Sequence, residues 1–249
     1  MHRNWLALIV SAFLVFADHS FAQEPIRLSA SGISPSVWGV LEVPRAPESH
    51  PGLVILHGSA GWRAEYAHLA RALADSGFVA LALSHFVETG PDTSRARALQ
   101  NWRTWQNTVR NAAAYLRALP ATRGQKIGLI GFSHGAFLAI SVASSIPEIG
   151  AVVDYYGGVN TRVSSLDDQL RNFPPLLVLH GDADTLVPVT RARILKDSIE
   201  TRGGHVELHI YHGAQHAFNS RVYPSYSDSL TKDSNKVTID FLRRHLVAK

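Results

Sequence analysis

The sequence contains a serine whose neighbours are typical of a catalytic nucleophile. Ser133 is the central residue of GFSHG at 131–135, a G-x-S-x-G pattern. A serine hydroxyl is a poor nucleophile near neutral pH, so it needs a histidine base within hydrogen-bond reach and an acid that fixes the tautomer of that base. With such partners, the pattern predicts attack by Ser133 on a carbonyl carbon.

Three aspartates could supply the acid. Asp182 and Asp184 lie in HGDADTLVP at 180–188, directly after an apolar segment, and Asp154 ends the preceding apolar segment. Asp182 also suits a turn in which a carboxylate accepts hydrogen bonds from nearby backbone amides. The residues alone leave all three as candidates.

The base is expected downstream of the acid. His216 lies there, in GAQHAF at 213–218, after one further strand-like segment. His57, which opens HGSAGW at 57–62, is a second candidate, although a histidine at the start of such a loop more often organises the turn. We favour His216 because serine, acid and histidine then follow one another in the order used by enzymes with this nucleophile pattern.

Other histidines raise the question of a metal site. His205, His209 and His212 lie close to His216 in the sequence. If 206–211 is a strand, His205 and His209 lie about 13 Å apart on one face, too far to share one ion. We expect surface or packing roles for them and no metal.

The order of apolar and amphipathic segments predicts the elements that position these residues. Predicted strands are 36–43, 53–56, 79–83, 126–130, 151–155, 176–179 and 206–211, and predicted helices are 65–76, 95–119, 136–145, 190–201 and 227–247. This alternation is typical of an α/β domain with a mostly parallel, doubly wound sheet, here of about seven to eight strands. The proline-bearing turn at 44–52 suggests an antiparallel or edge position for the first strand.

GFSHG lies between a predicted strand and a predicted helix. In this context the pattern indicates a nucleophile elbow, a tight turn that holds the serine in a strained backbone conformation and exposes its hydroxyl. The two glycines are expected because side chains would collide where strand and helix pack closely. The site should lie in loops beyond the carboxyl ends of the strands.

The elbow, HGDADTLVP and GAQHAF together resemble the dienelactone hydrolase family of the α/β-hydrolases, over nearly the whole chain after residue 22. The resemblance implies that the acid stands three residues after the glycine of the HG segment, which is Asp184, and that the base is His216. It also implies an oxyanion hole formed by the backbone N–H groups of Ser59 and His134.

Aromatic residues in or near the same loops could line a substrate pocket. Tyr156 is the strongest candidate, because DYYGG at 154–158 resembles the strand-end YYG segment of the family. The full set of predicted pocket residues is Trp62, Phe86, Trp102, Phe132, Tyr156 and Phe218.

The chain departs from the family pattern at two places. Family members that open dienelactones carry a cysteine nucleophile and usually an acidic residue in the early loop, where this chain has Ser133 and Gly58. These differences retain the parts of a serine esterase and argue against dienelactones as substrates.

Composition excludes several classes of site. The chain has no cysteine, so it has no disulfide, thiolate zinc site or cysteine nucleophile. The net charge of +4 is modest and its basic residues are scattered, which argues against a nucleic-acid partner. We expect no cofactor, and a small-molecule ester as the partner.

The N-terminal residues predict export. A basic start is followed by an apolar run at 5–16 and by small residues before a cleavage site after Ala22, the pattern of a secretory signal peptide. We expect residues 1–22 to be removed and 23–249 to form one domain, periplasmic or secreted, without stable membrane insertion.

The sequence therefore predicts an exported serine carboxylesterase that hydrolyses a small ester or lactone through an acyl-enzyme on Ser133. A small serine peptidase or amidase with the same residues is one alternative. A non-catalytic binding protein that retains the fold is another.

Overall fold

The computed structural model of the chain describes residues 26–27, 38–86, 89, 95–159 and 165–247. Its strands are β1 (Ile26–Arg27), β2 (Trp38–Glu42), β3 (Gly52–Leu56), β4 (Val79–Ser84), β5 (Ile127–Phe132), β6 (Ile149–Tyr155), β7 (Leu176–Gly181) and β8 (Val206–Tyr211). Its helices are α1 (Ala64–Asp75), α2 (Arg95–Ala118), α3 (His134–Ala143), α4 (Leu166–Leu170), α5 (Thr190–Glu200) and α6 (Asp228–Leu246). A short 3-10 helix spans Pro120–Thr122.

These strands form one eight-stranded sheet in the order β1-β2-β4-β3-β5-β6-β7-β8. β2 runs antiparallel to both β1 and β4, and the pairs from β4 through to β8 are parallel. The mostly parallel α/β sheet expected from the sequence is thereby confirmed.

The central strands are buried because helices cover both faces of the sheet. Every residue of β3, β4, β5, β6 and β7 is buried, as their unbroken apolar sequences predict for parallel strands. One apolar cluster packs α2, α3, α4 and α5 against the sheet, and a second packs α1 and α6 against the opposite face.

Some details of the fold differ from expectation. The first predicted strand, observed as β2, pairs with β4 and not with the next strand along the chain, β3. β1 and α4 were not predicted, since a two-residue strand and a five-residue helix carry too little periodicity to identify.

The predicted signal peptide, 1–22, lies outside the described residues. Within the described ranges, none of the helices has the length and apolarity needed to cross a membrane.

Candidate active site

Three loops at the carboxyl edge of the sheet bring the predicted residues together. Ser133 directly follows β5, Asp184 lies three residues after β7, and His216 lies in the loop after β8. Because β5, β6, β7 and β8 are parallel neighbours, their carboxyl ends lie side by side. Residues separated by up to 83 positions in the sequence thereby come into contact.

The turn at Ser133 has the geometry of a nucleophile elbow. Ser133 has φ 51° and ψ −115°, a backbone conformation that L-residues rarely adopt. A Cβ atom at Gly131 would lie 2.4 Å from Cα of Ala136, and one at Gly135 would lie 2.3 Å from the carbonyl oxygen of Leu56. Both positions therefore require glycine, and the strain at Ser133 is held by close packing of β5, α3 and β3.

A continuous chain of hydrogen bonds links the three residues. His216 Nε2 lies 2.9 Å from Ser133 Oγ, and His216 Nδ1 lies 2.7 Å from Asp184 Oδ2. With a proton on Nδ1, the ring donates to the carboxylate and its Nε2 accepts from the serine hydroxyl. This is the arrangement in which a histidine can remove a proton from a serine.

The environment of Asp184 keeps its carboxylate ionised. Its Oδ1 accepts hydrogen bonds from the backbone N–H groups of Leu186 and Val187, each at 2.9 Å. His180 Nε2 lies 3.4 Å from Oδ2. Burial by itself raises the pKa of Asp184, but hydrogen bonds from His180, His216 and the Val187 amide outweigh burial and hold this pKa well below its usual value.

The two rival aspartates lie in different surroundings. Asp182 pairs with His212, whose Nδ1 lies 2.9 Å from Oδ2, and accepts from the N–H of Gly213 at 2.7 Å. Asp154 is buried and accepts from the N–H of Gly157, and burial raises its pKa to about 6. Neither aspartate hydrogen-bonds His216.

Ser59 and His134, whose backbone amides are predicted to form the oxyanion hole, both lie near Ser133. His134 begins α3, so its N–H is one of the amides at a helix N-terminus that have no partner within the helix. Ser59 lines the same cavity as Ser133. A Cβ atom at the neighbouring Gly58 would lie 3.7 Å from Cβ of Ser133, which shows how closely this loop approaches the nucleophile.

His57 belongs to a stack of three histidines that the sequence did not reveal. The ring centroids of His57 and His85 lie 3.8 Å apart, and the ring of His85 is almost parallel to that of His134 at 6.0 Å. His57 Nδ1 donates to the carbonyl oxygen of Gly58 at 2.9 Å. Its Nε2 and both ring nitrogens of the other two are buried and have no hydrogen-bond partner among the described residues. We call these three residues the histidine stack.

Burial keeps the histidine stack neutral. It lowers the pKa of His57 and of His134 to about 4, and that of His85 well below the ordinary value for histidine. A neutral His57 fixed to its own loop organises the turn and does not contact Ser133 through a hydrogen bond.

The remaining histidines form a different group from the one suggested by the sequence. His205 lies beside Glu207 and His245, and their ligand atoms are within 4.8 Å of one another. Arg244 donates to both carboxylate oxygens of Glu207, at 2.8 and 2.7 Å. The carboxylate is therefore held by an ion pair near the start of β8, an edge strand, whereas His216 follows the other end of that strand.

Comparison with known proteins decides the family. The model of the dienelactone hydrolase family matches residues 37–246. The chain belongs to this family. A Bradyrhizobium protein described as a probable 2-oxo-3-(5-oxofuran-2-ylidene)propanoate lactonase is 29% identical over 213 residues, which cover 80% of this chain and 86% of that protein. Human mitochondrial acyl-coenzyme A thioesterase 2 is 31% identical over 162 residues, covering 65% of this chain but only 30% of the thioesterase.

Solved structures share the α/β-hydrolase fold of the family. A dienelactone hydrolase-like promiscuous phosphotriesterase from metagenomic libraries superposes with a TM-score of 0.74 at 21% identity, covering 84% of this chain and 93% of that one. Thermogutta terrifontis esterase 2, phosphorylated by paraoxon, gives a TM-score of 0.69 at 19% identity over 91% and 96% of the two chains. At these identities the likeness shows the fold.

This dienelactone hydrolase family member has a cavity of about 220 Å³ at Ser133. Of the predicted pocket residues, Phe132 and Tyr156 line it, and the ring of Tyr156 contacts His216 edge to face at 4.8 Å. Trp62, Phe86, Trp102 and Phe218 line neither this cavity nor its neighbour described below.

Those four aromatic residues have packing positions instead. Phe86 and Trp102 surround the histidine stack, Trp62 packs against Trp38 at 4.9 Å, and Phe218 is fully buried. An aromatic side chain near a loop fills core as readily as it lines a pocket, so sequence position did not separate the two roles.

The cavity also contains residues that the sequence did not single out. Arg63, Glu65 and Tyr66 line it from the start of α1. The hydroxyl of Tyr66 accepts a hydrogen bond from the N–H of Gly58 at 3.2 Å, and burial raises the pKa of Tyr66 to about 12. The only sequence signal was their place directly after the loop that carries Ser59.

Proposed function

We propose that this chain is a serine carboxylesterase that hydrolyses a small ester or lactone through an acyl-enzyme on Ser133. The observation that carries the proposal is the position of His216, which hydrogen-bonds Ser133 Oγ on one side and Asp184 on the other. The strained turn at the half-buried Ser133 and the cavity in front of it support the same reaction.

In the first half of the proposed reaction, His216 Nε2 removes the hydroxyl proton as Ser133 Oγ attacks the ester carbonyl carbon. The resulting imidazolium is stabilised by the carboxylate of Asp184. The carbonyl oxygen becomes an oxyanion held by the N–H groups of Ser59 and His134. Collapse of this intermediate breaks the bond to the alcohol, which leaves with the proton from His216.

In the second half, water attacks the acyl carbon and gives its proton to His216. The bond to Ser133 Oγ then breaks, the acid is released and the serine recovers its proton. A lactone follows the same steps, with its alcohol still tethered to the acyl group.

The descriptions of relatives support hydrolysis of an ester or lactone bond, but they do not identify the substrate of this chain. The Bradyrhizobium relative is described as a lactonase and the Thermogutta protein as an esterase. This chain has Ser133 and Gly58 in place of the cysteine and acidic residue of family members that open dienelactones. We therefore propose an ester or lactone other than a dienelactone.

We also propose that the protein is exported. The support is the basic, apolar and small-residue pattern of residues 1–22. N-terminal sequencing of the protein from a periplasmic or culture fraction should begin at Gln23. A protein that keeps its first residues and stays in the cytoplasm would contradict export.

Ser133→Ala tests the catalytic proposal. The variant should fold normally, lose labelling by a fluorophosphonate, and lose ester turnover by at least about 10³-fold. Turnover of 4-nitrophenyl acetate, including the burst that reports acyl-enzyme, measures this. Unchanged turnover in the variant would refute the mechanism, and the absence of any burst in the wild type would favour a binding protein.

A matched ester and anilide separate the esterase from the peptidase alternative. The same acyl group should be released at least about tenfold faster from the ester, because an alcohol is a better leaving group than an amine. Preference for the anilide would overturn the assignment to esters.

A further inference from the structure

A second cavity, of about 340 Å³, lies between α1 and the first half of α6. This volume is within the range of about 300–1,000 Å³ that small-molecule sites occupy. We define the larger cavity by its walls on α1 (Glu65, Tyr66, Ala72) and α6 (Thr231, Lys232, Asn235).

The larger cavity adjoins the cavity at Ser133. The two share Glu65, Tyr66, Phe132, Tyr156 and Ser220 as wall residues. Glu65 and Ser220 are joined by a hydrogen bond of 2.7 Å, which ties α1 to the loop that follows His216. A substrate with its carbonyl group at Ser133 would reach the larger cavity by extending past this hydrogen-bonded pair.

That common wall presents aromatic rings. The ring of Phe132 lies 5.4 Å from that of Tyr66 and 6.3 Å from that of Tyr156, with tilted planes. Aromatic surfaces of this kind bind flat groups by stacked or edge-to-face contacts.

The polar groups around the larger cavity favour a neutral ligand. Lys232 and Arg221 lie 2.8 and 3.8 Å from Asp228, and with the carboxylate of Glu65 the two positive and two negative charges of the wall sum to zero. The carboxylate of Glu65 accepts from Ser220. Charged groups of the cavity thus already have partners of their own within the chain.

Uncharged hydrogen-bonding groups remain available to a ligand. The amide oxygen of Asn219 accepts from the Tyr156 hydroxyl at 2.7 Å, and the N–H groups of the same amide remain as donors beside the cavity. Asn235 adds a second side-chain amide on α6. Amides of this kind recognise hydroxyl groups, which both donate and accept.

We propose that the larger cavity is a subsite for a neutral, hydroxylated aromatic group carried by the ester, an inference that rests on the proposed esterase function. Its flat face packs on the shared aromatic wall, and its hydroxyl group meets the amide of Asn235. The enzyme then prefers hydroxycinnamate-like esters to simple acetates.

The test compares three methyl esters, those of acetic, cinnamic and 4-hydroxycinnamic acid. The wild type should show the highest kcat/KM for the 4-hydroxycinnamate. Ala72→Phe, which fills the larger cavity at a position away from Ser133, should lower that value by about tenfold and leave the acetate unchanged. Ala114→Phe makes the same substitution at an exposed position of α2 outside both cavities, and should alter neither.

Asn235→Leu tests the proposed hydrogen bond to the hydroxyl group of the ester. It should lower kcat/KM for the 4-hydroxycinnamate by about tenfold and leave that for the cinnamate unchanged, because the hydrogen bond to the hydroxyl group is lost. If Ala72→Phe and Asn235→Leu leave the ratio of the three esters unchanged, the subsite is refuted while ester hydrolysis stands.

A binding measurement separates the subsite from catalysis. Calorimetry of methyl 4-hydroxycinnamate with Ser133→Ala should show binding that weakens by about tenfold when Ala72→Phe is added. Binding that does not respond to Ala72→Phe overturns the subsite, whether or not the wild type hydrolyses any of the esters.

Discussion

Ser133 lies between two groups of histidines whose environments are opposite. On one side, the acid–base arm consists of His180, Asp184 and His216, and its carboxylate accepts hydrogen bonds from His216 and from the backbone, with His180 Nε2 at 3.4 Å. On the other side, the histidine stack of His57, His85 and His134 buries five ring nitrogens without partners among the described residues.

The different environments of the acid–base arm and the histidine stack indicate different contributions to the site. In the acid–base arm, a carboxylate with a lowered pKa is prepared to stabilise a positive charge on His216. The histidine stack is desolvated and stays uncharged, and it connects the loop of Ser59 to the start of α3 at His134. The acid–base arm thus places an ionised carboxylate beside His216, whereas the histidine stack contributes neutral, closely packed rings.

The largest effect is expected when the acid–base arm is broken at its carboxylate. Asp184→Asn keeps the size of the side chain but removes the charge and favours the wrong tautomer of His216. We expect kcat to fall by about 10³–10⁴-fold, with a much smaller change in KM. Steady-state kinetics with 4-nitrophenyl acetate measures both. A loss below tenfold would show that another group orients His216.

An intermediate effect is expected from the histidine stack, as a dependence of stability on pH. The pKa of His57 and of His134 is about 4 in the folded chain, against an ordinary 6.5. Between these values the unfolded chain binds more protons, so stability rises with pH, is fully present above 6.5, and is lost as the pH falls towards 4.

His85→Phe keeps an aromatic ring in the histidine stack and removes one of its titrating groups. The decline in the free energy of unfolding between pH 6.5 and 4 should become shallower by about 1 kcal/mol per pH unit. Urea unfolding at several pH values in this window measures the slope. Ala114→Phe is the control, because it adds the same ring at an exposed position and removes no titrating group, so it should keep the wild-type slope. Equal slopes in the two variants would show that the stack does not stay neutral.

The smallest effect is expected at Asp182. Its carboxylate contacts an exposed histidine and one turn amide, and it has no hydrogen bond to His216. Asp182→Asn should therefore change kcat by less than about twofold, since an exposed ion pair contributes little. The assay used for Asp184→Asn provides a direct comparison. A loss as large as that of Asp184→Asn would make Asp182 the acid.

Much of the fold and of the site could be predicted from local patterns in the sequence alone. The unbroken apolar runs predicted the central strands, because parallel strands are buried on both faces. Gly131 and Gly135 indicated the elbow because no larger residue fits there, as the close approaches of Ala136 and Leu56 show. Short motifs likewise identified Asp184 and His216 as the residues that come together with Ser133.

Tertiary structure alone decided which distant segments meet. β2 pairs with β4 across the intervening β3, and His85 joins His57 and His134 only because three strands end at the same edge of the sheet. The larger cavity depends on α1 facing α6, and no local pattern of either helix encodes that contact. Apolar burial and steric limits act over a few residues and can be read in sequence, whereas packing between elements depends on the whole arrangement.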